Sequence, residues 1–168
     1  GSGKSCINQV FKAFATPREG ITSKLPADDA ECAKRLLSSL RRSPPAIDFD
    51  NVVTDIQAFP SLCSVLTSEF FEDRLLQVSE MLIVSTRCLF LASGNNVGPT
   101  QDMARRCVTI RLCPNVEFPA LRTFKRPHLV QEILNDRGRY VSAALTIIKA
   151  WMAAGRQQTP CKALAGFQ

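Results

Sequence analysis

The chain has 168 residues, 45 % apolar and 21 % charged, an ordinary composition for one globular domain with enough chain to bury a core. Its seven cysteines (6, 32, 63, 88, 107, 113 and 161) form no C-x-x-C pair and have a single His for company, which argues against a zinc site or a small secreted disulfide framework and for reduced, buried thiols in a cytoplasmic protein. The net charge of +6 is uneven: residues 1–84 carry nine basic and eleven acidic side chains, residues 85–168 twelve and four, so the second half is either a solvated basic surface or the face that meets a polyanion.

The chain opens Gly1-Ser2-Gly3-Lys4-Ser5. This matches the second half of the phosphate-binding loop G-x-x-x-x-G-K-[ST], though a Gly-Ser-Gly linker ahead of Lys-Ser would read the same. Residues 4–15 place Ile7, Val10, Phe11 and Phe14 at helical spacing until Thr16-Pro17 stops the run, so a helix follows Lys4-Ser5 directly. "GITSKLP" is a short extended segment. Asp28, with Glu31 three residues on, caps a second helix striped by Ala33, Leu36, Leu37 and Leu40.

"SPPAIDFDNVV" reads as a buried strand ending in acidic residues, and "PSLCSVLTS" as a short helix. "EFFEDRLLQVSEMLIVSTRCLFLASGNN" reads as a hairpin running into a central strand that ends near Ser93. "DMARR" is a helical turn and "CVTIRL" a returning strand. From Pro127 the pattern is helical. Leu129, Val130, Ile133 and Leu134 mark a short helix, residues 135–138 a turn, and Val141, Leu145, Ile148 and Met152 a longer helix ending at Gly155. Its most apolar stretch, "YVSAALTIIKAWMAAG", is too short to cross a bilayer and carries Lys149, so no membrane partner is expected.

Strands alternating with helices, then a helical annex, predict an α/β fold: a parallel sheet sandwiched by helices with a small C-terminal helical lid. The expected division is a core over 1–125, a lid over 126–156 and a tail over 157–168. In such sheets ligands sit at the carboxyl ends of the strands. The chemistry-bearing residues should therefore follow apolar runs.

Four groups do so. In a phosphate loop the backbone N–H groups cradle phosphate, Lys4 reaches the β- and γ-phosphates, and the Ser5 hydroxyl binds Mg²⁺. Asp48 and Asp50 lie two apart on one strand and face one side of it, where a buried carboxylate calls for a metal or cation. Asn95 or Asn96, at a strand end, could bond a γ-phosphate or orient the attacking water. Of the adjacent Arg105 and Arg106, one could reach a neighbouring subunit's phosphate while the other holds Asp102.

With these in place, "FLASGNNVGPTQDMARRCVTIRLCPNVEFPALRTFK" and "LNDRGRYVSAALTIIKAWMAAGR" resemble the C-terminal ATPase region of phage and integrative-element primase-helicase proteins, among the superfamily-3 and AAA+-like P-loop helicases. The resemblance runs from Gly1 to about Arg156. It is most specific in Gly94-Asn95-Asn96 and Asp102-Met103-Ala104-Arg105-Arg106. It implies an ATP- and Mg²⁺-dependent DNA helicase or translocase acting in mobile-element replication, in a homo-oligomeric ring around DNA, the single strand foremost.

By residue, the resemblance implies nucleotide-binding duty for Gly1, Gly3, Lys4 and Ser5. Metal duty falls to Ser5 and Asp50, a sensor role to Asn95 or Asn96, and a finger role to Arg105 or Arg106. Asn51 stands where many such ATPases carry Glu, which leaves Asp48 as a candidate to polarise water. The DNA-gripping hairpin of related rings corresponds to about 70–86, where Arg74 is the lone basic side chain among acidic neighbours. The first strand and the loop's first half would lie ahead of residue 1, so the 168-residue chain is expected to bind nucleotide poorly. The alternatives are another AAA+ remodelling ATPase and a catalytically inactive basic nucleic-acid-binding module.

Overall fold

The computed structural model describes residues 3–17, 20–74, 80–113 and 123–158. Gly1, the 75–79 segment, residues 114–122 and all but the start of the expected 157–168 tail lie outside the described residues. In chain order the elements are α1 (Lys4–Ala15), β1 (Ile21–Ser23), α2 (Asp29–Leu40), β2 (Ala46–Val52), α3 (Pro60–Val65), β3 (Phe70–Arg74), β4 (Met81–Ser85), β5 (Leu89–Gly94), a 3-10 helix (Gln101–Arg105), α4 (Leu129–Asn135) and α5 (Arg137–Ala153). They make a mixed α/β protein with a small parallel sheet. Two compact units divide them: α1, α4 and α5 in one, the sheet with its helices and hairpin in the other.

The sheet unit is built on β2. Seven residues, Ala46 to Val52, run through the middle of the order β1-β2-β5, parallel to both neighbours. Ala46, Ile47, Asp48 and Phe49 are all buried, as a strand covered on both faces requires. The strand expected to be central, β5, pairs only with β2 among the described residues. Asn51 takes a left-handed backbone (φ 54°), a conformation Asn tolerates better than most residues, and the β2–β5 register shifts between Phe49 and Val52.

Helix α2 begins as its capping pattern predicts: the Asp28 carboxylate accepts the Glu31 N–H at 2.8 Å. It packs Cys32, Leu36, Leu37 and Leu40 into a core shared with Ile47, Phe49, Val52, Leu62, Val65, Phe71, Val84 and Met103. Each such side chain contributes about 1.5–3 kcal/mol by leaving water. Pro60 starts α3, and the Asp29 carboxylate accepts the Ser61 N–H at 2.9 Å, tying α3 to the start of α2.

The hairpin pairs β3 and β4 antiparallel, with Phe71 and Val84 inward and Phe70, Met81 and Ile83 outward. "CVTIRL" is a correction: residues 107–113 form no strand, and Val108 and Ile110 are exposed. The β-branched run Val108-Thr109-Ile110 favours an extended chain, but a strand needs a neighbour to bond, and none pairs with it among the described residues.

In the helical unit, Arg137 at the start of α5 donates from Nε to the Ala13 carbonyl at 2.8 Å and from Nη2 to the Phe14 carbonyl at 2.6 Å. It thereby caps the C-terminus of α1 with a cation, where the helix dipole favours one. The Phe14 ring meets Tyr140 edge-on at 6.4 Å, and Arg126 bonds both Glu132 and the Tyr140 hydroxyl. A single non-helical residue, Asp136, separates α4 from α5, where a four-residue turn was expected. Gly155 (φ 83°) follows the end of α5 as anticipated.

Two helical stripes need correction. On α1 the buried residues are Asn8 and Ala13, while Phe11 of the expected stripe is exposed. On α5 no residue is fully buried, and Leu145, Ile148 and Met152 are exposed. No helix among the described residues is long and apolar enough to cross a membrane.

Most of the cysteines were expected to be buried, but only Cys32 is fully so among the described residues; Cys63, Cys88 and Cys107 are half-buried, and Cys6 and Cys113 are exposed. Burial, reinforced by nearby Asp29, pushes the Cys32 thiol from 9.0 up to about 12. Maleimide should therefore label Cys6 and Cys113 of the native chain at pH 8 and reach Cys32 only after denaturation, as read by peptide mass spectrometry. A raised folded-state value means that the unfolded chain loses this proton first. The Cys32 contribution to stability is thus whole below pH 9 and falls as pH rises towards about 12. The fall in urea midpoint between pH 8 and 10.5 should be smaller in Cys32→Ala.

Candidate functional site

The carboxyl end of the parallel sheet gathers Asp50, Asn95 and Asn96 of the residues singled out in the sequence. Because β2 and β5 run the same way, with Asp48 opposite Leu91, Phe49 opposite Ala92 and Val52 opposite Gly94, Asp50 and the Gly94-Asn95-Asn96 turn share that end. Asp48 and Asp50 differ in depth. Asp48 is 4 % exposed at the centre of the sheet, whereas Asp50 is half-buried. No buried side-chain nitrogen or oxygen among the described residues lacks a hydrogen-bond partner.

The Asp50 Oδ1 accepts the Ser93 hydroxyl at 2.6 Å. In sequence Ser93 is only the end of an apolar run; its part appears once β5 is laid parallel to β2. Asn95 and Asn96 are both exposed, and Asn96 takes a left-handed backbone (φ 53°) that turns the chain away from the strand.

The loop after β5 is pinned to the loop after β2. The Ile56 N–H donates to the Gly98 carbonyl at 2.9 Å, the Thr100 N–H to the Ile56 carbonyl at 3.0 Å, and the Gly98 N–H to the Asp55 carboxylate at 2.9 Å. This clamp carries the chain into the 3-10 helix, where Met103 is buried and its sulfur lies 3.8 Å from the Cys63 Sγ of α3.

Asp102 at the start of that helix binds both arginines. Its Oδ1 accepts Arg105 Nε–H at 2.5 Å, and its Oδ2 accepts Arg106 Nε–H at 2.7 Å. The guanidinium pair holds the Asp102 carboxyl below its ordinary range, through hydrogen bonds first from Arg106 and then from Arg105. The sequence pattern assigns Asp102 to one arginine; the structure gives it to both.

Gly3, Lys4 and Ser5 belong to the helical unit. Gly3 is left-handed (φ 93°) and its carbonyl accepts the Ile7 N–H at 3.1 Å, so α1 begins on Lys4 as a phosphate loop requires. A Cβ on Gly3 would meet nothing within 4 Å, so its glycine serves backbone conformation, not close packing. The first turn of α1 has no acidic residue to repel an anion, and Ser5 is exposed. Gly1 lies outside the described residues. Arg74 is exposed at the end of β3, where its N–H donates to the Asp73 carboxylate at 2.7 Å.

The Ser5 hydroxyl in the helical unit and the Asp50 carboxylate in the sheet unit are each an oxygen ligand of the kind Mg²⁺ accepts. Among the described residues no group of three or more His, Cys, Asp or Glu could hold a metal by itself. Compared with protein-family models, curated proteins and solved structures, the chain matches none.

Proposed function

We propose that the chain is part of a Mg²⁺-dependent P-loop ATPase of the AAA+-like, superfamily-3 helicase kind, driving DNA unwinding or translocation in mobile-element replication. The observation that carries this reading is the parallel pairing of β2 with β5, which sets Asp50 beside the Gly94-Asn95-Asn96 turn. The α1 start supports it independently, with Gly3 left-handed ahead of Lys4 and Ser5.

In this reading Gly3 and the first N–H groups of α1 cradle phosphate, and Lys4 reaches the β- and γ-oxygens. Mg²⁺, bound through oxygens of the kind the Ser5 hydroxyl and the Asp50 carboxylate offer, would neutralise charge on the phosphates. Ser93 orients the Asp50 carboxylate, as hydrogen bonds to a metal-ligating group commonly do. Asn95 or Asn96 positions the attacking water. The burial of Asp48 makes it a poorer candidate for that duty. An arginine of the Asp102 group acts on a nucleotide held by a neighbouring copy in a ring. The acidic surroundings of Arg74 give the hairpin little pull on DNA phosphates.

The test is phosphate release from ATP by a form of the chain extended N-terminally through the whole loop, with and without Mg²⁺ and single-stranded DNA. Hydrolysis that requires Mg²⁺, rises with single-stranded DNA and disappears in Asp50→Asn is the expected result. Hydrolysis indifferent to DNA would point to another AAA+ remodelling ATPase. Steeply salt-dependent DNA binding with no hydrolysis would leave an inactive basic module.

A further inference from the structure

Helix α5 runs on past the part of it that is covered. Arg137, Tyr140, Val141 and Ala144 are half-buried, whereas every residue from 145 to 158 is exposed. The apolar stripe does not stop at that boundary. Ile148 and Trp151 continue it at helical spacing from Ala144, flanked by Leu145, Ile147 and Met152, all five between 46 and 72 % exposed. The Trp151 indole N–H already donates to the Gln157 carbonyl at 2.8 Å, so its exposed ring needs only an apolar neighbour. Residues 137–158 carry Arg137, Arg139, Lys149 and Arg156 and no acidic side chain.

The β3–β4 hairpin bears a second such face, of opposite charge. With Phe71 and Val84 in the core, Phe70, Met81 and Ile83 point outward, 54–62 % exposed. In the antiparallel register Ile83 stands opposite Glu72, diagonal to Phe70 and two residues from Met81, so the three share one patch. Glu69, Glu72, Asp73 and Glu80 accompany them, against Arg74 and Arg87. Single exposed apolar side chains are ordinary, but contiguous groups of them mark contact surfaces.

We infer that the α5 stripe of one copy of the chain docks on the hairpin face of a second copy. Both faces are apolar at the centre and carry opposite net charge around it, which steers encounter and fixes register. Two α5 stripes meeting each other would set a basic helix against a basic helix. The contact joins two different patches, so it is head-to-tail, and a dimer keeps one free face of each kind for further copies. It is small, with three apolar anchors on one side and five on the other, so its dissociation constant is on the order of 10–100 μM. A ring of copies belongs to the ATPase reading; this contact needs only the two faces.

Sedimentation velocity of the 168-residue chain in reducing buffer, from about 5 μM to about 500 μM, should show dimers and larger species growing with concentration. Added salt should weaken the association by screening the opposite charges. Phe70→Ser with Ile83→Ser removes the hairpin face, and Ile148→Ser with Met152→Ser removes the α5 face. All four side chains are exposed, so the fold should survive both pairs of changes, as far-UV circular dichroism checks. Each double variant alone should associate about tenfold more weakly, or less still. Mixed one to one, the two should form a dimer with affinity within about threefold of wild type and nothing larger, because one intact face of each kind remains.

A chain that stays monomeric throughout this range would overturn the inference, and so would a mixture that stays monomeric. Association that salt strengthens, and that only the α5 variant loses, would replace it with α5 against α5. If either variant does not fold, the concentration and salt dependence of the wild-type chain decide. ATP hydrolysis by a chain that never associates would remove this contact and leave the ATPase reading; association without hydrolysis would do the reverse.

Discussion

Lys4→Ala should lower ATP hydrolysis by roughly 100-fold or more in the loop-complete form of the chain, the scale at which removing one preorganised charge from a phosphoryl-transfer site is felt. Lys4 is the first residue of α1, immediately after the left-handed Gly3, so its side chain starts from the end of the helix that carries positive partial charge. Nothing else in the first turn supplies a cation, and Ser5 next to it offers only a hydroxyl. The fold should hardly notice the change. Lys4 is half-buried at the helix start, and substitutions outside a core usually shift stability by about 0.5 kcal/mol or less. Unchanged thermal unfolding together with lost turnover is therefore the expected pair of results. Turnover within about threefold of wild type would remove the phosphate-loop role of Gly3-Lys4-Ser5, whatever the sheet unit does.

What could be read from the sequence follows from how local each cause is. The start of α2 was legible because Asp28 and Glu31 carry the cap within four residues. The β2 strand was legible because its apolar run is short and follows Pro44-Pro45, which favours a strand over a helix. The Asp102 group left a readable trace too, since carboxylate and arginines three and four apart face one another on a helical turn.

The misses depend on partners that a local pattern cannot name. "CVTIRL" has the alternation of a strand but finds no ladder among the described residues. Helical periodicity shows that α1 and α5 have an apolar face, not whether anything covers it, and Leu145 and Ile148 remain exposed. Ser93 is the clearest case. A serine closing an apolar run has no distinguishing pattern, and it becomes the partner of Asp50 only through the parallel register of two strands some forty residues apart in sequence.

That register makes Gly94 the most sensitive small residue near the site. It pairs with Val52 just past the β2 irregularity, and a Cβ built on it would lie 2.4 Å from the Val52 carbonyl oxygen and 2.4 Å from Val97 Cγ2. The valine methyl could rotate away; the carbonyl belongs to the backbone of the central strand and cannot. Gly94→Ala must therefore push β5 off β2 at the carboxyl end of the sheet, at a cost of about 1–3 kcal/mol, the range for overpacking a well-filled interior. Asp50 and Ser93 lie on the two strands being forced apart, so their 2.6 Å hydrogen bond should lengthen as well.

Gly98 is the internal control. A Cβ there meets nothing within 4 Å and its φ is not left-handed, so Gly98→Ala should be neutral or gain up to about 1 kcal/mol by restricting the unfolded chain. Urea denaturation of the two variants, followed at the same pH and salt, separates steric crowding from a general intolerance of change around the site. Equal midpoints for Gly94→Ala and wild type would mean that β5 is not held against Val52 as closely as the β2–β5 register requires. The placement of Asp50 beside the Gly94-Asn95-Asn96 turn would then lose its footing.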